Sequence, residues 1–328
     1  MMGMGGLETY AVFFLTSVGI YAIVCLALNV QWGLSGQFNF GIVAFYALGA
    51  YTSAILTGPD SGGSYLGGFG LPLPIGLIGG MIVAGLLGLV IGLICLNLRA
   101  DYLAIATIGI AEIVRLFLKN EAWLTNGVRG IPGIPRPFFD SGYFELAYLA
   151  LVLVLVVLVY LAIERARKSP WGRVLRAIRE NEDTAAAAGK DVVGFRIQAF
   201  VFGAAIMGLA GGLYAHFIGF ISSEAFMPEV GTFLIWVMLI AGGSGNNKGA
   251  ILGALVIWVI WSGSEFIISQ VLPAGLTTQA GALRLLLIGV LLQVILLTRP
   301  AGLLSEERLY RTGRTAQADP KTHRREVR

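Results

Sequence analysis

Charged residues are scarce in this chain. Asp, Glu, Lys and Arg make up 13% of its 328 residues, against about 25% in a soluble globular domain. No charge lies between Thr9 and Pro59, and none between Ser61 and Leu98. Runs of that length exclude a soluble domain, and because they are continuous rather than alternating they exclude a membrane β-barrel. Histidine occurs only twice, so no metal or haem site is expected. Cys25 and Cys95 lie in apolar runs and read as small core residues, not as a disulfide or metal pair. Ser169, Ser222 and Ser244 have no His or acid beside them in sequence, so no catalytic residue is expected. Phosphate loops are also lacking. Ala185–Asp191 has no first glycine and carries Asp191 where Ser or Thr should follow Lys190; Asn247-Lys248-Gly249 fails in the same way. No cofactor is expected on this chain, and any ATP must be used by another.

What is present is hydrophobic sequence, 56% of the chain, with 45 glycines. Small residues let helices approach closely in lipid. The expectation is an all-α integral membrane protein, a polytopic helical bundle of about nine spans, each of about 20 residues (range 8–10 spans). They run roughly 10–30, 40–57, 71–98, 102–118, 144–163, 195–217, 230–242, 250–268 and 283–298. The seventh is short for a full crossing. No cleavable signal peptide is evident, since the first apolar run is long enough to span and has no basic region before it.

One stretch departs from this pattern. Glu164–Arg196 holds eight Lys or Arg and five Asp or Glu. The tail 299–328 holds eight more basic residues, so the two segments carry sixteen of the 23 in the chain. Basic loops stay on the cytoplasmic side. Loop 164–194 and the tail are therefore expected inside, with the turn at Arg99. Loops 58–70, 119–143, 218–229 and 269–282 fall outside. The N-terminus is then outside and the C-terminus inside. The chain reads as one transmembrane domain, 1–298, followed by a basic tail, 299–328, attracted to anionic membrane lipid. No nucleic-acid partner is expected.

Two glycine-rich interruptions sit at membrane depth, Trp32–Gly41 and Ala241–Gly249. Each precedes a helix rich in Gly and Ala, and they read as counterparts in two halves of the chain. Broken segments at matching positions point to a substrate path in repeat-built transporters. Tight turns at the inner membrane face would look the same. Gln37, Asn39, Ser244 and Asn246 are the pathway candidates. Glu112 and Arg115, three apart in the fourth span, can form an intramembrane ion pair. A place in the path, or against a sister subunit, is the other reading. His216 reads as an interfacial polar residue. Loop 119–143, with Asn126–Pro135 rich in Gly and Pro, is expected to be built of ordered turns. It either receives a soluble protein or covers helix ends.

Inside the charged island, Pro170 can open a helix and Gly189 can stop one. Arg173, Arg176 and Glu180 share one face; Val174, Ala177 and Ile178 form an apolar strip on another. Two short helices along the membrane are expected, either for a soluble partner or as a purely interfacial element.

These residues resemble the permease subunits of branched-chain amino-acid ABC importers, a group that includes urea-type permeases. The resemblance runs from about residue 20 to 304. It rests on LNVQWGLSGQFNFGIVAFYALGAYTSAIL, DYLAIATIGIAEIVRLFLKN, GIPGIP, SPWGRVLRAIRENEDTAAAAGKD, GLAGGLYAHFIGFISSEAF and RPAGLL. Importer permeases carry a coupling motif, Glu-Ala-Ala, three residues, then Gly, that docks on the ATPase. Gly189 fits the glycine, and Asp183, Thr184 and Ala185 occupy the first three positions, a departure from the strict pattern. The resemblance assigns ATPase coupling to Arg173, Arg176, Arg179, Glu180, Glu182, Asp183, Ala185 and Gly189. It implies a second homologous permease subunit, two cytoplasmic ATP-binding subunits with ATP and Mg, and a periplasmic substrate-binding protein, in the bacterial inner membrane. Branched-chain or other small amino acids are the expected cargo, with urea and short amides open. The rival is an ion-coupled secondary transporter with internal repeats. That would need acids within spans, and only Glu112 and Glu265 qualify.

Overall fold

The computed structural model describes residues 6–60, 62–63, 65–96, 98, 100–139, 144–271, 280–299 and 301–306. The expected turn at Arg99, the Asp140 charge, the outer segment 272–279, the Glu265 side chain and the tail from 307 onward lie outside the described residues.

A helix stands at each of the nine expected spans. They are α1 (Gly6–Leu28), α2 (Ile42–Thr57), α3 (Leu73–Cys95), α4 (Ala100–Asn120), α6 (Phe144–Lys168), α9 (Val192–Ile218), α10 (Pro228–Gly242), α11 (Asn247–Val271) and α12 (Ala280–Thr298). Shorter helices intervene: α5 (Ala122–Thr125), α7 (Pro170–Glu180) and α8 (Glu182–Ala187). Five segments are long and apolar enough to cross a membrane: Glu8–Leu34, α3, α6, α9 and most of α12. Helix α10, with 15 residues, is short as expected. Helix α4 has the length, at 21 residues, but carries Asp101, Glu112, Arg115 and Lys119.

Two ends differ from the sequence expectation. Helix α1 continues into a π-helical turn, Asn29–Leu34; such turns hold an extra residue and redirect the chain. Helix α6 runs on to Lys168, and its last turn carries Arg165, Arg167 and Lys168, where cations favour the negative end of the helix dipole.

The core forms around α1 and the turn after it, where every residue from Ala22 to Val30 is buried. It is enclosed by α6, α9, α10 and α11. A second layer packs α2, α3 and α9 through Gly49, Gly80 and Gly208. A Cβ at Gly49 would overlap the Gly208 carbonyl, and one at Gly208 would lie 2.5 Å from the Gly80 oxygen. Only glycine allows that backbone approach, so dispersion contacts can form between helices that lipid would otherwise separate. Outward faces stay apolar: Leu153, Val154, Val157, Leu158 and Leu161 on α6, and Leu286, Val290 and Leu297 on α12, are exposed. Continuous apolar exposure of this kind suits lipid or another membrane chain.

At one end the described part of loop 119–143, residues 119–139, is ordered by turns, as expected. Asn126 takes a left-handed conformation, and a two-residue strand β1 (Ile131–Pro132) pairs antiparallel with β2 (Phe220–Ile221). Ile131 and Ile134 are buried, and Arg136 donates to the Ile218 carbonyl. The loop caps the end of α9. His216 is buried there. The Pro135 carbonyl can only accept, so Nδ1 donates to it (2.7 Å) and Nε2 accepts from the Ser53 hydroxyl (2.9 Å). A cavity of about 390 Å³ opens beside it, lined by Thr57, Leu73, Arg136 and His216 among others.

Candidate functional site

At the other end the charged island folds into α7 and α8, through three successive N-caps. Ser169 accepts from the Gly172 amide, with Pro170 in the first turn of α7. Asn181 accepts from Thr184 N (2.8 Å) to open α8, and Asp191 from Gly194 N (3.0 Å) to open α9. Each cap satisfies amides that a helix start leaves unpaired. Gly189 ends α8 with φ of 75°, a conformation that favours glycine. Leu175 and Ile178 are buried and Val174 is half-buried; Ala177 is exposed instead. Ile178 meets Ala185 and Val192, with Val174 and Phe195 packed around them.

The expected coupling residues separate into two groups. Arg173, Glu180, Glu182, Asp183 and Gly189 are exposed, whereas Ala185 is buried and serves packing. Arg176 is half-buried and reaches back to the Gly172 carbonyl (3.4 Å). Glu182 pairs with Arg196 (3.1 Å). Arg179 points inward. It donates to the Gly33 carbonyl and to both oxygens of Glu306 (3.0 and 2.9 Å). A cleft of about 220 Å³ lies between α7–α8 and Ser35–Gly36.

The two glycine breaks meet. A Cβ at Gly33 would lie 2.6 Å from Gly245 N. Asn29 joins them: its Oδ1 accepts from Gly245 N (2.7 Å) and its Nδ2 donates to Asn247 Oδ1 (2.9 Å). Asn247 then donates to Glu164 (2.9 Å), which pairs with Arg167 (2.6 Å) and Lys168 (3.0 Å). This polar chain ties α1, α6 and α11 together at one level. Segment 301–306 is tied in as well: Leu303 N donates to Ala241 O and Leu304 N to Gly242 O (both 2.9 Å).

Three of the four pathway candidates are internal joints. Gln37 is fully buried and donates to Arg196 O (2.7 Å), leaving Oε1 a buried acceptor without a partner. Asn39 donates to Gln31 Oε1 (2.8 Å) and accepts from Gly41 N (2.7 Å). Asn246 caps α11, accepting from Lys248 N (3.0 Å), and donates to Ser305 O (2.9 Å). Ser244 is half-buried in the turn between them. Trp32, Phe38, Phe40 and Trp236 pack ring to ring beside the first break, at 4.7 to 5.5 Å between centroids. Sequence reasoning missed Asn29, Gln31, Asn247, Glu164 and Glu306. The signal for the first two was available: an Asn and a Gln inside an apolar run need partners at depth.

Glu112 and Arg115 form the expected pair, at 2.9 and 2.5 Å. Arg115 also approaches Glu224 (3.9 Å), which pairs with Lys119 (2.8 Å). The Lys119 ammonium holds the Glu224 carboxyl below its ordinary range. Among the described residues no three His, Cys, Asp or Glu gather as a metal site.

Packed apolar helices thus carry one charged, capped helix pair bound to two broken segments. The family model described as branched-chain amino acid transport system / permease component matches residues 10–296, and the chain belongs to that family. It is 34% identical over 317 residues to the probable branched-chain amino acid transport permease protein LivM of Methanocaldococcus jannaschii, covering 88% of this chain and 91% of the relative. It is 34% identical over 311 residues to the high-affinity branched-chain amino acid transport system permease protein LivM of Escherichia coli K12, covering 87% and 68%. LivH of the same strain, also a high-affinity branched-chain amino acid permease protein, is 26% identical over 260 residues, covering 73% and 80%. No solved structure matches.

Proposed function

We propose that this chain is one transmembrane half of an ATP-driven importer for branched-chain amino acids. The observation that carries the reading is the placement of Arg179. It sits on the helix pair that the resemblance assigns to ATPase docking, yet binds the first break directly and Glu306 beside the second. Force applied to α7–α8 from below therefore has a route into both breaks. Similarity to both LivM and LivH of one organism supports a second, homologous permease as partner.

In this reading the α7–α8 end is cytoplasmic, the N-terminus outside and the C-terminus inside, with all nine helices crossing the inner membrane. Two ATP-binding subunits, holding ATP and Mg, dock on the exposed surface of α7 and α8. A periplasmic binding protein delivers cargo at the face capped by loop 119–143. ATP closes the ATPase pair, the helix pair moves, and the breaks rearrange to pass substrate between the two permeases. This chain does no chemistry on its cargo.

The test is affinity purification from native membranes in mild detergent, comparing wild type with an Asp183→Arg, Ala186→Trp double variant of the exposed α8 surface. Both positions are exposed, so the fold should tolerate them. The expected result is co-purification of a second permease and two ATPases with wild type, and loss of the ATPases alone from the variant. A wild-type chain that purifies alone, and moves substrate on an ion gradient, overturns the reading.

A further inference from the structure

The outward side of α4 has no cover among the described residues. Leu103, Thr107, Ala111 and Leu118 are buried on its inner side. The Glu112 side chain, on the other side, is 40% exposed. It lies eight residues, about 12 Å, inside the Asn120 end of the helix. Hydrocarbon cannot solvate a carboxylate at that depth, so the face looks onto a water-filled path or another protein. Gly109, three residues away on the same face, has open space before it: a Cβ there would meet nothing within 4 Å. Ile105 and Ile108 extend the face and are exposed.

Charges alternate up this face. Glu112 binds Arg115, Arg115 approaches Glu224, and Glu224 binds Lys119. The series runs from the middle of α4 to the connection before α10. A free amino acid presents an ammonium and a carboxylate a few ångströms apart, with an apolar side chain beyond. We propose that this face lines the translocation path and is a transient binding site for the zwitterionic head of an aliphatic amino acid. Glu112 takes the ammonium, Arg115 takes the carboxylate as a bidentate fork, and the side chain lies over Gly109 against Ile105 and Ile108. While cargo is absent the two residues satisfy each other. The inference rests on the importer reading, in which the second permease closes the opposite wall.

The test uses the whole complex in proteoliposomes, with its binding protein and radiolabelled leucine. Glu112→Gln and Arg115→Gln are each expected to lower uptake at least tenfold in complexes that still co-purify every partner. The reversed pair, Glu112→Arg with Arg115→Glu, is expected not to restore it, because the order of charges along the path is inverted. A Glu112→Cys variant is expected to react at this chain with a membrane-impermeant methanethiosulfonate, where the wild-type chain, whose Cys25 and Cys95 are both buried, does not. Restoration of uptake by the reversed pair, or no reaction at position 112, overturns the proposal and leaves a structural ion pair. Absence of leucine uptake by the wild-type complex overturns the importer reading, and this inference falls with it.

Discussion

Replacing Arg179 by Met keeps most of the side-chain volume and removes the guanidinium. Three hydrogen bonds go with it, to the Gly33 carbonyl and to the two oxygens of Glu306. Arg179 is 25% exposed and Glu306 34%, so the contact is neither a surface pair nor a dry one. Surface pairs contribute about 0–1 kcal/mol, and buried hydrogen bonds to charged groups about 1.5–3. The link between α7 and the breaks is therefore weakened by about 1–2 kcal/mol, a factor of about 5–30 in the balance between coupled and uncoupled arrangements. In the reconstituted importer, leucine taken up per ATP hydrolysed should fall by that factor, while the ATPases stay bound. Glu306→Gln should lower the ratio less. The double change should be no worse than Arg179→Met alone, since that change already removes the Arg179–Glu306 contact. A leucine-to-ATP ratio within about twofold of wild type, or full additivity of the two changes, would refute the assignment of Arg179 as the link.

Asn29→Leu leaves Gly245 N and the Asn247 side chain without their partner in a buried site. Each orphaned group costs about 1–3 kcal/mol, which thermal unfolding of the purified complex should register as a lower Tm. Gly208→Val forces branched carbons onto the Gly80 carbonyl and Ala84. Overpacking of about 1–3 kcal/mol or more should separate α9 from α3 and lower the amount of folded protein in membranes, measured by fluorescence-detected gel filtration. The Lys119 ammonium holds Glu224 below its ordinary value of 4.5. A lowered folded-state value means the contact stabilises above the unfolded value and is lost as pH falls through the folded one. Hydrogen-exchange protection of 220–226, corrected for intrinsic rate, should stay level down to about pH 4.5 and fall only below it. Glu224→Gln should abolish that fall.

The helices were legible because lipid-compatible sequence is simple: a long apolar run between polar breaks has few other folds. The island resolved into helices because Pro170 and Gly189 are strong local punctuation. The face of α7 was harder. Spacing put Ala177 in the apolar strip, but Leu175 is the residue buried. A leucine removes far more apolar area from water than an alanine, so packing turned the helix toward it. Polar residues at the breaks were visible as candidates but not as joints. The partner of Arg179 is 127 residues away in Glu306, and no local pattern encodes a pairing at that separation. Glu164 likewise reads as one more island charge until α11 places Asn247 beside it.

The two breaks are alike in sequence and unlike in what holds them. The first is a π-helical turn followed by irregular chain, pinned by Gln31, Gln37 and Asn39 to each other and to the backbone of α9. The second is a short glycine turn pinned by Asn246 to Ser305, with segment 301–306 laid across the end of α10. Helix α7 touches the first directly and reaches the second through Glu306. Yet Asn29 binds Gly245 and Asn247, so the breaks cannot separate without opening a buried amide pair. An inward-facing rearrangement driven from α7 must then move both breaks as one body, or sacrifice the Asn29 contacts. The first route keeps the Asn29 hydrogen bonds to Gly245 and Asn247 intact throughout the stroke. For that reason the hinges of the proposed cycle belong at the outer limits of this joint, near Phe40–Gly41 and along α10, rather than at the glycines where the sequence first drew attention.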